Sequence, residues 1–297
     1  LIETAAALRG KSGGKMPRLD PGRQRSMMPT VPLEIHELFP DEDYRFHLTL
    51  RKGDLGAFFS PANPAVLEER RRWLNDDSET VLAQSEGCQP LVREMEALAS
   101  GWGKLANRGD GNDSVTERLS ILGGALEPDF MLLSKDPGGI YRLRAGVVCF
   151  PSSWVLSEKI GRGLEEIHGV VPGLNASLAV TIDRFLERLK PGAPFERANW
   201  GLAGTPELNM HPNLGRTRIA LPLDLDRVWL RIEDQILASL PSGGGVLFGI
   251  RIRALPLQSI LKDPTLRSGF HRALATMPEA LAAYKGISPI RAALLAT

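Results

Sequence analysis

Two hydrophobic periodicities alternate along the chain, and the switch between them organises it. From 64 to 84, "PAVLEERRRWLNDDSETVLAQ" carries apolar residues at helical spacing and predicts one or two amphipathic helices, with Pro64 suited to a first turn. "QPLVREMEALASGW" (89–102) predicts another, through Leu91, Met95 and Leu98. "RGDGNDS" (108–114) reads as a turn-rich loop, and it lacks the Gly and closing Glu of a calcium loop. Its Arg-Gly-Asp tripeptide carries no weight in a chain read as cytoplasmic. "VTERLSILGGAL" predicts a further helix.

After that helix the pattern changes to period two. "FMLLS", "YRLRAGVVCF", "FERANWGL", "RVWLRIEDQIL" and "GVLFGIRIRAL" are rich in Val, Ile, Phe and Trp and predict strands. "PSGGG" (241–245) predicts the hairpin connection between the last two. Two helices interrupt the strands, "SEKIGRGLEEIH" and "ASLAVTIDRFLERL". The C-terminal part returns to helix in "LQSILKD", "PTLRSGFHRALATM" and "PEALAAYKG". Strands clustered between helical segments predict an α+β fold, one antiparallel sheet covered by helices, and not a βαβ repeat. The sheet core is expected at about 129–256, with a helical C-terminal part at 257–287.

Composition narrows the class. The 297 residues are 43% hydrophobic and 24% charged, as in an ordinary globular chain. A formal net charge of +1 gives no field that favours nucleic acid or an anionic membrane. No apolar run approaches the ~20 residues that span a bilayer, so no membrane partner is expected. Two cysteines, Cys88 and Cys149, make neither a disulfide scaffold nor a four-thiolate cluster, and a reducing cytoplasm is the default location. Residues 1–28 carry six Lys/Arg against Glu3 and Asp20, with little apolar periodicity. They read as a disordered basic tail or as sequence upstream of a true start near Met27 or Met28; an organelle transit segment is the alternative. Residues 29–297 are expected to form a single domain.

The segment "CFPSSWVLSEKIGRGLEEIHGVVPG" (149–173) holds the most informative histidine. Read as one helix, it has Ser157 as N-cap and Gly169 as its stop, and places Ile160, Leu164, Ile167 and His168 on one face. Gly161 inside it costs roughly 1 kcal/mol against Ala, which suggests that the face needs clearance. From the pattern alone His168 either packs in the core or holds a ligand. Cys149 ends an apolar strand, where a buried thiol simply packs.

Four stretches in order carry a resemblance: residues 149–173, "RANW" (197–200), "LRIEDQILASLPSGGGVLFGIRIRALPL" (230–257) and "MPEALAAYKGI" (277–287). They resemble the heme-dependent oxidative N-demethylase alpha-subunit family, over about 40 to 287. That resemblance implies a PAS-like sheet binding heme b, with a histidine as axial iron ligand. The best match on this sequence is His168, with His211 in "NMHPN" as runner-up; His36, His47 and His271 read as surface or packing residues.

The remaining site residues sit on polar strand faces. Arg231, Glu233 and Gln235 fall at period two opposite Leu230, Ile232 and Ile236, with one slip near Asp234. Such a face is either solvated or lines a pocket. In the pocket reading Glu233 is the counter-charge for an amine and Arg231 polarises dioxygen. Arg197 and Asn199 share a face on their own strand. Arg197, with Lys159 or Arg251, suits a heme propionate. Trp154 and Trp200 are expected as core.

The resemblance further implies oxidation of a small secondary amine, such as dimethylamine, with O2 bound opposite His168. No G-x-G-x-x-G turn is present. Electrons are therefore expected from elsewhere, and the resemblance implies a separate reductase subunit carrying NADPH, FMN and a 2Fe-2S cluster. This chain departs from the family pattern, which has Arg-Gln after the strand's Glu and a Thr-Tyr pair in the next strand. Here Asp234, Gly249, Ile252 and Arg253 occupy that region. If the missing hydroxyls belong to the site, activity or substrate differs. The alternative reading is a non-catalytic heme-binding PAS-like sensor. A hydrolase has little support, since neither H-E-x-x-H nor G-x-S-x-G occurs.

Overall fold

The computed structural model describes residues 33–46, 50–106 and 112–297. The basic stretch 1–28, His47 and most of the Arg-Gly-Asp loop lie outside the described residues. The fold is α+β. Seven strands form one antiparallel sheet in the order β1-β5-β6-β7-β3-β4-β2. They are β1 (Arg51–Lys52), β2 (Leu82–Gln84), β3 (Asp129–Lys135), β4 (Tyr141–Val147), β5 (Phe195–Ala203), β6 (Trp229–Ser239) and β7 (Val246–Pro256). The five longer strands are those the period-two pattern predicts. The edge strands β1 and β2 are two and three residues long, too short for periodicity to show.

Helices cover both faces of the sheet. The upstream set is α1 (Leu33–His36), α2 (Leu55–Phe59), α3 (Pro64–Asp76), α4 (Ser78–Val81), α5 (Gln89–Gly101) and α6 (Val115–Ala125). Close approach to the sheet is built with glycine. A Cβ on Gly249 of β7 would lie 2.8 Å from both Ile236 and Phe59, and one on Gly123 of α6 would lie 2.6 Å from Val147. The C-terminal set is α9 (Leu257–Leu261), α10 (Pro264–Thr276), α11 (Glu279–Tyr284) and α12 (Arg291–Leu295). It packs Leu257, Ile260, Phe270 and Leu281 with Trp200, Leu230 and Ile232 in a second apolar cluster. Trp200 is core there, as expected, with its ring centroid 5.0 Å from Phe39. The other face of the sheet is covered by α7 (Leu164–His168) and α8 (Leu174–Arg188).

The expected continuous helix over "SEKIGRGLEEIH" is broken. Ser157–Lys159 form a 3-10 turn, Gly161 adopts φ +79°, and α7 starts only after Gly163. The break lets the chain lie along β4: Gly161 N–H donates to Leu143 O at 2.8 Å and Leu143 N–H to Arg162 O at 3.1 Å. Gly161 thus supplies a left-handed backbone and not clearance, since no atom lies within 4 Å of where its Cβ would stand. The expected slip near Asp234 is absent too. β6 pairs one-to-one with β5 and β7 through Asp234. Asp234 is accommodated on the apolar side by Arg253, whose Nε and terminal nitrogen reach its two carboxylate oxygens at 2.6 and 2.7 Å.

Candidate functional site

Strand alternation aims one set of side chains from the sheet at α7 and α8. Register puts Arg197 beside Gln235, Asn199 beside Glu233, and Gly201 beside Arg231. Gln235 in turn stands beside Ile250, and Leu237 beside Phe248. These residues wall a cavity of about 460 Å³. Its apolar half includes Met131, Leu133, Leu143, Leu174, Phe248 and Ile250; its polar half gathers the charged groups.

Glu233 is held at both oxygens. Ser152 Oγ donates to Oε1 at 2.6 Å and Gln235 Nε2 to Oε2 at 2.9 Å. Ser152 also accepts from Arg231 Nε at 2.9 Å. A terminal nitrogen of Arg231 donates to the carbonyls of Phe150 at 2.8 Å and Pro151 at 3.3 Å, and the other reaches Glu207 O at 3.5 Å. Burial lowers the Arg231 pKa, and Glu233 opposes that shift. Arg231 therefore binds the 150–152 segment to the sheet.

The same segment is fixed from the opposite side by a buried ion pair. Asp129 accepts from the backbone N–H groups of Cys149 and Phe150 at 2.8 and 3.0 Å, and from Arg70 at 2.5 Å. Arg70 donates Nε to Gly123 O and lies over the Phe150 ring. Cys149 is fully buried beside this pair, and burial pushes its thiol up to about 12, which suits packing.

His168 ends α7. The helix begins where Glu166 accepts the Gly163 N–H at 2.7 Å, and Asn175 Nδ2 ties α8 to it through Glu165 O at 2.8 Å. Leu164, Ile167 and His168 all line the cavity, so the expected shared face survives although Ile160 is cut off from it. Nδ1 of His168 is buried and has no hydrogen-bond partner. Burial above all, with the Arg197 and Lys159 cations among the further causes, pulls its pKa down to about 3, so the imidazole is neutral.

The structure brings six of the seven expected site residues together: Lys159, His168, Arg197, Asn199, Arg231 and Glu233 all line the cavity. Arg251 does not. It lies on the opposite face of β7, 3.3 Å from Glu127, donating to Phe58 O and lying over the Phe58 ring. Val246, Phe248 and Ile250 take the cavity side of that strand, so position 251 has the wrong parity. His211 is buried outside the cavity lining, its Nδ1 accepting from Asn213 N–H at 3.3 Å. His36 stands 3.6 Å from Asp263, and His271 3.3 Å from Thr297.

Three cavity residues were not singled out by the sequence reading. Tyr44 arrives from upstream of the sheet, its hydroxyl pushed up to about 12 by burial and opposed by Arg197. Ser152 lies in the loop after β4. Lys285, just past α11, donates Nζ to Trp200 O at 2.8 Å and sits over its indole. Of these only Lys285 had a signal, its place within "MPEALAAYKGI".

The model of the family described as haem-dependent oxidative N-demethylase, alpha subunit-like, matches residues 97–295. The chain belongs to this family. The match carries His168, Arg197, Glu233 and Lys285, whereas Tyr44 lies outside it. The positions expected to depart from the family pattern lie largely away from the cavity. Asp234 and Arg253 pair on the opposite face, and Gly249 packs against Phe58 and Phe59 there. Among the described residues no helix is long and apolar enough to cross a membrane.

Proposed function

We propose that this chain is the heme-binding, oxygenating subunit of a monooxygenase-type N-demethylase that acts on a small secondary amine. The observation that carries the reading is the His168 imidazole, neutral and with a partnerless buried Nδ1, on the wall of a mostly apolar cavity. A neutral imidazole is the form that ligates iron. The cavity volume lies within the roughly 300–1,000 Å³ usual for small-molecule and cofactor sites. Among the described residues no three His, Cys, Asp or Glu side chains converge on a metal-ion position. Were heme bound in this cavity, His168 would be the residue placed to hold its iron. The apolar half suits the ring of heme b, and Lys159 and Arg197 suit its propionates. Counted along the chain from β3, the five long strands stand in the order 3-4-5-1-2, which supports the PAS-like description.

Heme, when bound, supplies the activation of O2. The chain's residues do the rest. Glu233, fixed by Ser152 and Gln235, gives a positioned counter-charge for the amine. Arg231 was expected to polarise dioxygen, but its donors are directed at Ser152 and at backbone carbonyls. In this reading it is a positioning residue that holds Ser152 against Glu233. The apolar walls exclude water. In the balanced reaction a secondary amine and O2 take two electrons and two protons and give a primary amine, formaldehyde and water. The electrons come from a separate reductase partner with NADPH, FMN and a 2Fe-2S cluster; both cysteines here are buried, far from any cluster-building set. The test is oxygen uptake by heme-loaded protein with a chemical reductant and dimethylamine. Amine-dependent uptake with stoichiometric formaldehyde supports the enzyme. Heme binding with no amine-dependent uptake supports the sensor reading instead.

A further inference from the structure

The two groups that hold Glu233 differ in what they leave over. Ser152 Oγ donates to Oε1 and accepts from Arg231 Nε, so both of its roles are filled. Gln235 gives an N–H to Oε2 at 2.9 Å, and its carbonyl oxygen remains. A carboxylate accepts and does not donate, so Nε2 is the amide end turned toward Glu233 and Oε1 is turned away from it. That oxygen is buried and has no hydrogen-bond partner among the described residues. Gln235 itself is 6% exposed and lines the cavity from the middle of the sheet, between Arg197 on β5 and Ile250 on β7.

A buried carbonyl without a donor is costly. Holding Glu233 in place does not require one, because a hydroxyl does that task from the other side at Ser152. The oxygen is an acceptor without a use inside the protein, on the wall of a site for small molecules. Its place sets the donor it suits. It shares an amide with the nitrogen 2.9 Å from Glu233, so one small group can touch both residues. A carboxylate offers about four acceptor positions. Ser152 and Gln235 fill two of those on Glu233, which leaves room for a third donor.

We propose that Gln235 Oε1 is the second acceptor for an ammonium ligand whose first acceptor is Glu233, and that the pair selects amines carrying two N–H groups. A dialkylammonium has two such donors, one for the carboxylate and one for the amide oxygen. A trialkylammonium has one and leaves an acceptor unmatched. The proposal rests on the amine reading above and adds a substrate-binding residue and a rule of selection, the number of N–H donors.

The experiment titrates the full chain with dimethylamine and with trimethylamine by calorimetry, hemin-loaded and heme-free. Wild type is compared with Gln235→Met, Gln235→Asn and Ser152→Ala. Methionine is close to glutamine in length, so exclusion by size persists in Gln235→Met while the acceptor is lost. Asparagine keeps the amide but draws it back by one methylene. Wild type should prefer dimethylamine by about tenfold or more, and both Gln235 variants should lower that preference by about tenfold, the effect of one hydrogen bond to a charged group. Ser152→Ala loosens Glu233 but leaves Oε1 in place, so it should weaken both amines alike and keep the preference. If Gln235→Met does not fold, Gln235→Asn carries the test. An unchanged preference in a folded Gln235 variant that still binds dimethylamine overturns the assignment and leaves the amine at Glu233. A preference lost equally in Ser152→Ala also overturns it, since the placing of Glu233 would then set the selection. A wild type that binds dimethylamine in neither state removes the amine reading, and the assignment with it.

Discussion

Ser152 Oγ lies 2.6 Å from Glu233 Oε1, joining a loop to a carboxylate on the central strand of the polar face. The same hydroxyl accepts from Arg231, so one group satisfies a buried cation and a half-buried anion together. Ser152→Ala removes both bonds and leaves both charges under-satisfied. It should destabilise the protein by about 1–3 kcal/mol, measured as a shift in urea midpoint at constant slope.

The Arg70–Asp129 pair holds the same loop from below. Its carboxylate also accepts two backbone N–H groups, so Asp129→Ala strands a fully buried guanidinium and two donors. The expected loss is about 3–5 kcal/mol in denaturant unfolding. A loss under 1 kcal/mol would show that the loop is held elsewhere.

His168 gives stability a pH dependence with a definite sign. Its folded pKa, about 3, lies below its ordinary value of 6.5. The unfolded chain therefore binds the extra proton between those values, and stability falls as pH drops through 6.5. From pH 7 to pH 5 this should cost about 2 kcal/mol, and His168→Leu should remove that part of the slope. Paired denaturation curves at the two pH values check it.

Gly161→Ala separates the observed backbone from the continuous helix that periodicity predicts. In a helix interior the change should stabilise by roughly 1 kcal/mol. At φ +79° it should instead cost about 1–2 kcal/mol, with no steric clash to add to it. The sign of the shift in thermal midpoint decides.

Much of this architecture was legible because its strands are long. β5, β6 and β7 span nine to eleven residues, and alternation over such lengths told which side chains travel together. Arg197 with Asn199, and Arg231 with Glu233, follow from that alone. Alternation does not tell which face of the next strand looks the same way. Arg251 was misplaced for that reason, because only the pairing of Gln235 with Ile250 fixes the parity of β7. Gly161 was misread because a glycine within a helix and one in a left-handed turn are identical in sequence; the backbone bonds to Leu143 O and from Leu143 N–H select the turn. Tyr44 and Lys285 are brought in from the two ends of the described chain. No local period reports such a meeting.

The most direct measurement is the absorption spectrum of protein supplied with heme, wild type beside His168→Ala. The account predicts a Soret band in wild type that shifts or disappears in the variant. A folded wild-type protein that takes up no heme, or a band unchanged by His168→Ala, would contradict it.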